Sequence, residues 1–422
     1  MKPSVTIFTA VLVLLGGCGG SATSNATTVP VASASNAPPS SCSGSTAAGV
    51  GDGTPPVSAP FGVPSGFVAT RIAGVGGARE LAALPNGDLL VGTAGTTIEI
   101  VPNAEAATTT GAPRVFATMP DAPAAGVAFD AASCTIVVGT QFGVYTIPYV
   151  DGDTQARGIT KIASVRTHGS GAHTTTSVAV SDGTIYASVG SSCNACVESD
   201  PTRARILAMG LDGSNVTTKA TRIRNAIALA IDPASGALWA GDAGQDGLPQ
   251  PHPYEFIDDV SAHSGGADYG WPDCEENHVA YTAGADCSAT VVPLVEASAY
   301  ATTIGLAFYP GAQGGAHAFP SAYRGGLFAT HHGSWHTLTS TGCNVAPDII
   351  FIPMNGDAPK SAVDWSDPTT QWSTFGSGFQ PGCAASTRIG RPTGIAVGSQ
   401  GSLFVADDDV GAIYRIRPAT AP

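Results

Sequence analysis

One short motif recurs six times along this chain, and it limits what the chain can fold into. A glycine, aspartate or other small residue leads into an aliphatic-rich run, which ends on small or polar residues. The copies are Asp88–Thr93 (DLLVGT), Thr135–Thr140 (TIVVGT), Thr184–Gly190 (TIYASVG), Ala237–Asp242 (ALWAGD), Gly326–His332 (GLFATHH) and Ser402–Asp408 (SLFVADD). The first four start 47, 49 and 53 residues apart, the length of one four-stranded unit in a radial repeat. The next two gaps, 89 and 76 residues, leave room for inserted loops. Helical periodicity is nearly absent, and Gly and Pro are scattered throughout, as turn-rich β-structure requires. The reading is an all-β chain: a six-bladed β-propeller of four-stranded antiparallel blades. Alternating strands near both ends, Gly66–Ala73 and Gly411–Arg417, suggest that the two termini share a blade and so protect a strand edge.

The best-defined unit is Arg224–Asp246, RNAIALAIDPASGALWAGDAGQD. It reads strand, turn at Asp232–Gly236, strand, and then a polar loop from Asp242 to Asp246. Charged groups at both loop ends are what a propeller presents at its central axis.

Residues 1–18 read as an export signal. Lys2 is followed by an apolar run from Val5 to Leu15, too short for a comfortable transmembrane span. Leu15-Gly16-Gly17-Cys18 resembles the bacterial lipobox, which implies cleavage before Cys18 and acylation of its thiol; a signal peptide that happens to contain a cysteine is the other reading. Residues 19–60, rich in Ser, Thr, Ala, Gly and Pro, cannot bury enough apolar surface to offset ordering entropy and read as a tether. Residues 61–422 form the propeller. Export makes disulfides available, so Cys193 with Cys196, Cys274 with Cys287, and Cys343 with Cys383 are expected pairs. Cys42 and Cys134 have no assignable partner.

A net charge of −14 with only 18 Lys and Arg excludes a dense basic surface, and with it nucleic-acid binding. The few cations are correspondingly informative. Arg79, His173, Arg224 with Asn225, and Arg388 with Arg391 precede motif copies, while Asp242–Asp246 and His331–His332 follow or end them. Equivalent blades would gather these groups at one pocket, suited to a small ligand with several carboxylates.

These stretches together resemble the soluble quinoprotein sugar dehydrogenases, in particular the sorbosone- and pyranose-dehydrogenase-like branch, over about residues 64–416. The resemblance is carried by Ala78-Arg79 before LPNGDLLVGT, His173 before GTIYASVGSSCNAC, Arg224-Asn225 with GALWAGDAGQD, Asp268–Pro272 (DYGWP), Phe328–Trp335 (FATHHGSW), and Gly390–Gly394 (GRPTG) before GSLFVADDD. It implies pyrroloquinoline quinone and calcium at the propeller centre, a sugar substrate and an external electron acceptor. It assigns His173 as general base and Arg224 as a cation at the quinone's reactive face. Asn225 lies beside that face, and Arg79, His332 and Arg391 contact the cofactor. The main-chain carbonyls of Gly244 and Gln245 would bind Ca2+, with Asp242 and Asp246 near. A lipid on Cys18 would anchor the protein at the outer membrane, facing the periplasm or cell exterior.

The chain departs from the family at three places. His336-Thr337 follows HGSW where Asn-Arg is usual, Tyr300 stands where a histidine is expected, and Thr174–Ser177 replaces Trp-Thr-Arg-Asn. Two rival readings stand beside the dehydrogenase one: a calcium-dependent lactonase-type hydrolase, which would need a carboxylate cage where the central loops supply arginine and histidine more than Asp and Glu, and a binding propeller without catalysis.

Overall fold

The computed structural model describes Cys42, residues 51–169 and residues 171–419, all within one compact unit, Pro39–Pro422. The chain is a six-bladed β-propeller. The first blade comprises Ala78–Ala83, Leu89–Thr93, Thr97–Val101 and Arg114–Thr118. The second is Gly126–Asp130, Thr135–Gly139, Gly143–Pro148 and Thr160–Ser164. The third is Thr176–Ser181, Thr184–Val189, Arg205–Gly210 and Thr217–Thr221, edged by Ala267–Asp268 in parallel. The fourth is Ala228–Ile231, Leu238–Asp242, Glu255–Asp259 and Val295–Ala297. The fifth is Thr303–Phe308, Leu327–His331, Asp348–Ile352 and Ser373–Gly376. Within each blade neighbouring strands run antiparallel, and the innermost strands touch in a closed ring around the axis. Helix among the described residues is confined to three single 3-10 turns.

The sixth blade closes the ring with both ends of the chain. Pro392–Val397, Leu403–Asp407 and Ala412–Pro418 are followed outward by Phe67–Gly74 from the N-terminal side, in register from Phe67 against Pro418 to Gly74 against Ala412. Val57–Ser58 adds a short edge strand beyond it. A ring locked this way cannot open without breaking a full strand pairing.

The recurring motif is the second strand of every blade, one step out from the axis. Its glycine has a packing reason. A Cβ on Gly92 would sit 2.1 Å from the carbonyl oxygen of Ala125, and one on Gly139 equally close to that of Thr176. In both cases the intruding carbonyl belongs to the chain entering the next blade, so the glycine sets how closely two blades approach. Between blades lie separate apolar cores. Trp239, fully buried, meets Phe308 edge-on at 5.6 Å, and Phe319, Phe328 and Phe375 cluster at the fifth and sixth blades.

The three expected disulfides are present, and a fourth joins Cys42 to Cys134. Part of the stretch expected as tether is therefore tied down: Cys42 is buried against the second blade, Asp52 pairs with Arg114 at 2.6 Å, and Val57–Ser58 is paired strand. Cys18 and its surrounding signal lie outside the described residues.

Candidate functional site

In an antiparallel blade the start of the innermost strand and the end of the second strand lie at the same face. Arg79 stands at the start of an innermost strand, and His173, Arg224, Asn225 and Arg391 immediately precede others. His332, Asp408 and the 243–246 loop immediately follow second strands. One topological rule thus places residues hundreds of positions apart at one mouth of the ring.

Two of these groups are wired together. Asp408 accepts Arg79 Nη1 at 2.7 Å on one oxygen and His332 Nε2 at 2.8 Å on the other. Arg391 donates to the carbonyls of His332 and Gly333 at 2.9 and 3.0 Å. Burial opposes ionisation of Asp408, but His332 and Arg79 outweigh it and hold its carboxyl at about 2. Burial also drives His332 down to about 4, so at neutral pH a neutral imidazole donates to an anionic carboxylate. Arg79 spends one nitrogen on Asp408 and lines the channel throat with Thr175, Ile227, Ile304 and Thr393. His331, one residue before His332, points the other way, to Asp348 at 2.8 Å, as strand alternation requires.

Across the mouth, His173 Nδ1 lies 2.9 Å from Ser191 Oγ and 3.1 Å from the Ser191 carbonyl. Ser191 Oγ donates its own proton to the Cys193 carbonyl at 2.7 Å, so it can only accept from the ring. That network assigns the proton to Nδ1 and leaves the Nε2 lone pair without a partner among the described residues. Burial, and after it the Arg224 guanidinium, lowers His173 to about 4. The ring is therefore a neutral base at physiological pH. Its carbonyl is gripped by two arginines, Arg166 Nε at 3.1 Å and Arg203 Nη1 at 3.3 Å.

Arg224 is 5% exposed and committed to structure. It donates to the carbonyls of Asn194 and Ala243, to Asn194 Oδ1 and to Asp246 Oδ2, at 2.9–3.3 Å. Its charge also acts on His173, which it disfavours in the protonated form. Asn225 donates its main-chain N–H to Asp242 at 2.6 Å, and its side chain stands beside His173. A Cβ on Gly190 would meet Asn225 Oδ1 at 2.3 Å and His173 Cβ at 2.7 Å, so only glycine lets the two converge.

The donor set suits an anionic cofactor with a hard cation. Arg79 keeps donors beyond its ion pair, and the main-chain carbonyls of Gly244 and Gln245 accept no hydrogen bond among the described residues. Uncommitted carbonyls in a tight loop are the oxygen type Ca2+ takes. The two nearby aspartates are already occupied. Asp242 is buried, held by Asn225 and pushed up by burial to about 7. Asp246 is shared between Arg224 and His336 Nε2, the latter at 2.9 Å. This accounts for one departure noted in the sequence: His336 reaches Asp246, and Tyr300 packs on the His336 ring at 5.1 Å. Thr337 bridges instead to Asn344. Arg388 donates to Gln380 Oε1 and to loop carbonyls, and so braces the 334–345 loop. His168 is exposed.

Below the throat the channel opens into a cavity of about 230 Å³ walled by residues such as Leu81, Phe129, Val180 and Leu306. Glu80 stands at the transition. Its Oε2 accepts the N–H groups of Val127 and Val178 at 3.2 and 3.4 Å, and its Oε1, shielded from water, has no partner among the described residues.

Sequence reasoning missed Asp408, Ser191, Asn194, Glu80, Arg166 and Arg203. Asp408 was visible as part of an Asp-Asp-Asp run closing the last motif copy. The others carry no local pattern: Glu80 holds N–H groups of two further blades, and Ser191 and Arg203 meet His173 within the third blade.

The chain matches no family model. One curated relative, an uncharacterised protein of Borreliella burgdorferi, is 25% identical over 216 residues, and the match spans about half the length of each protein. Solved structures match far more completely. The PQQ domain of pyranose dehydrogenase from Coprinopsis cinerea, in its holo form, superposes with a TM-score of 0.70 at 16% identity, over 85% of this chain and 97% of that one. A calcium structure of a family AA12 carbohydrate-active enzyme from Trichoderma reesei gives 0.70 at 18%, over 86% and 97%. The chain shares its propeller fold with these proteins. The soluble aldose sugar dehydrogenase of Escherichia coli in its apo form shares it at a TM-score of 0.57 and 17% identity, over 83% and 99%.

Proposed function

We propose that this protein is an exported dehydrogenase that oxidises an aldose or related sugar derivative, using pyrroloquinoline quinone and Ca2+ and passing electrons to an external acceptor. The observation that carries the reading is His173: a neutral imidazole at the propeller mouth, its proton fixed on Nδ1 by Ser191 and its Nε2 without a partner among the described residues. Such a group accepts a hydroxyl proton. The quinone, when bound, supplies the hydride acceptor. Arg79 and Arg391, with His332 oriented by Asp408, would hold its carboxylates, and the carbonyls of Gly244 and Gln245 would hold the cation. Arg166 and Arg203 fix the His173 main chain, and Gly190 lets Asn225 reach the same point, so the base is held in place before substrate arrives. Four disulfides agree with export, and a lipid on Cys18 would provide the membrane anchor.

The test is reconstitution of the purified protein with quinone and Ca2+, followed by dye reduction with a panel of aldoses. Uptake of quinone with turnover is expected. In His173→Ala, quinone uptake should persist while kcat falls by about 10²–10⁴-fold. Absence of both uptake and turnover in the wild type refutes the proposal; uptake without turnover in either protein points to a binding propeller.

A further inference from the structure

Two of the residues that depart from the family pattern, Tyr300 and His336, build an aromatic stack at the mouth. His336 Nε2 lies 2.9 Å from Asp246 Oδ1, and Asp246 also pairs with Arg224 at 3.3 Å, so the imidazole is anchored to the loops of the mouth itself. Tyr300 packs on that imidazole with ring centroids 5.1 Å apart, and Trp335 packs on it at 3.7 Å with planes tilted by 35°. The rings grade from inside to outside: Tyr300 is 7% exposed, His336 half-buried and Trp335 72% exposed.

The loop does not need the indole for its own stability. Ser334 and His336, on either side of Trp335, are tied down without it. Ser334 N donates to the Val345 carbonyl at 3.1 Å, and the His336 carbonyl accepts Ser334 Oγ at 2.6 Å and Asn344 Nδ2 at 2.8 Å. Trp335 enters none of these bonds, and its indole N–H has no acceptor among the described residues. The other tryptophans differ: Trp239 and Trp271 are buried, and Trp365 and Trp372 half-buried. An indole face left in water forgoes the burial that so large a ring normally gains. Here that face stands just past the second strand of the fifth blade, Leu327–His331, on the side where a substrate enters. A pyranose ring presents C–H groups on its faces and hydroxyls around its edge. The first suit the negative face of an indole, and the second can accept its N–H.

We propose that Trp335, held in place by His336 and Tyr300, is a stacking platform for the pyranose ring of the substrate. The proposal rests on the dehydrogenase reading for the identity of the ligand as a sugar. A stack of this kind holds the substrate equally before and during reaction, so it sets KM and sugar selectivity and leaves the chemical step alone. It also separates ring-forming sugars from open-chain polyols that carry the same hydroxyls.

One arm of the experiment needs no turnover. In the full-length, quinone-free protein, acrylamide quenching of tryptophan fluorescence reads chiefly Trp335, since the other tryptophans are shielded. D-glucose, D-galactose or D-xylose should protect it, sorbitol should not, and Trp335→Leu should abolish the protected component. The second arm is dye reduction by the quinone-loaded enzyme. Trp335→Leu should raise KM for the preferred aldose by about 3- to 10-fold, with kcat and the KM for the dye unchanged, and Trp335→Tyr should recover most of the loss. An unchanged aldose KM in Trp335→Leu overturns the proposal, as does a KM that shifts for the dye instead. Equal protection by sorbitol and the aldoses overturns it too, as does protection by no aldose with or without quinone. Protection by an aldose in a protein that never takes up quinone refutes the dehydrogenase reading and leaves the platform standing.

Discussion

Glu80 makes the stability of this propeller sensitive to alkali, and the size of the effect follows from its position. Its carboxylate lies where the throat meets the channel, holding the main-chain N–H groups of Val127 and Val178 on two neighbouring blades. Burial raises its pKa from 4.5 to about 8, against the smaller opposing pull of its hydrogen-bond donors and Arg79. A folded pKa above the unfolded one means that the folded state binds the extra proton. The resulting stabilisation is complete below pH 4.5 and is lost as pH rises through 8. Evaluated with those two values, it falls by about 4 kcal/mol from pH 5 to pH 9, and about 1.4 kcal/mol of that lies between pH 7 and pH 9. Glu80→Gln keeps an acceptor for both N–H groups and cannot ionise. The assay is denaturant unfolding of both proteins at pH 5, 7 and 9. The variant should lie closest to the wild type at pH 5, where the two differ by about 1 kcal/mol, and should gain on it by about 1.4 kcal/mol between pH 7 and pH 9. Parallel profiles for the two proteins from pH 7 to pH 9 would show that Glu80 is already ionised in the fold and that the reasoning fails.

Two further outcomes follow from the same contacts. Asp408→Asn removes the anion shared by Arg79 and His332 and should lower stability at pH 7 by about 1.5–3 kcal/mol, read from the denaturant midpoint; a loss under about 0.5 kcal/mol contradicts it. Replacing Cys42 and Cys134 together by Ala opens a loop with a sequence separation of 92 and should cost about 4–5 kcal/mol in the chain-entropy account, with an unchanged midpoint as the refuting result.

What the chain declares locally, it declares well. Six copies of one strand motif specify six blades, because a second strand must be apolar on both faces and must carry a small residue where the next blade enters; Gly92 and Gly139 are that requirement made visible. The alternating strands at the two ends announce their shared blade for the same reason, and Cys193–Cys196 and Cys274–Cys287 are close enough in sequence to pair by proximity. Tertiary structure alone decided the rest. That Cys42 finds Cys134 and that Asp408 joins Arg79 to His332 depend on distances that no local pattern encodes, while the hold of Ser191 on the His173 tautomer depends on the pairing of two strands of the third blade. Arg224 shows the limit most clearly: its place in the sequence puts it at the mouth, but only packing shows that its hydrogen bonds are turned inward to hold the loops. Sequence periodicity fixes which residues reach the axis; the direction each side chain takes there is set by neighbours from its own and adjoining blades.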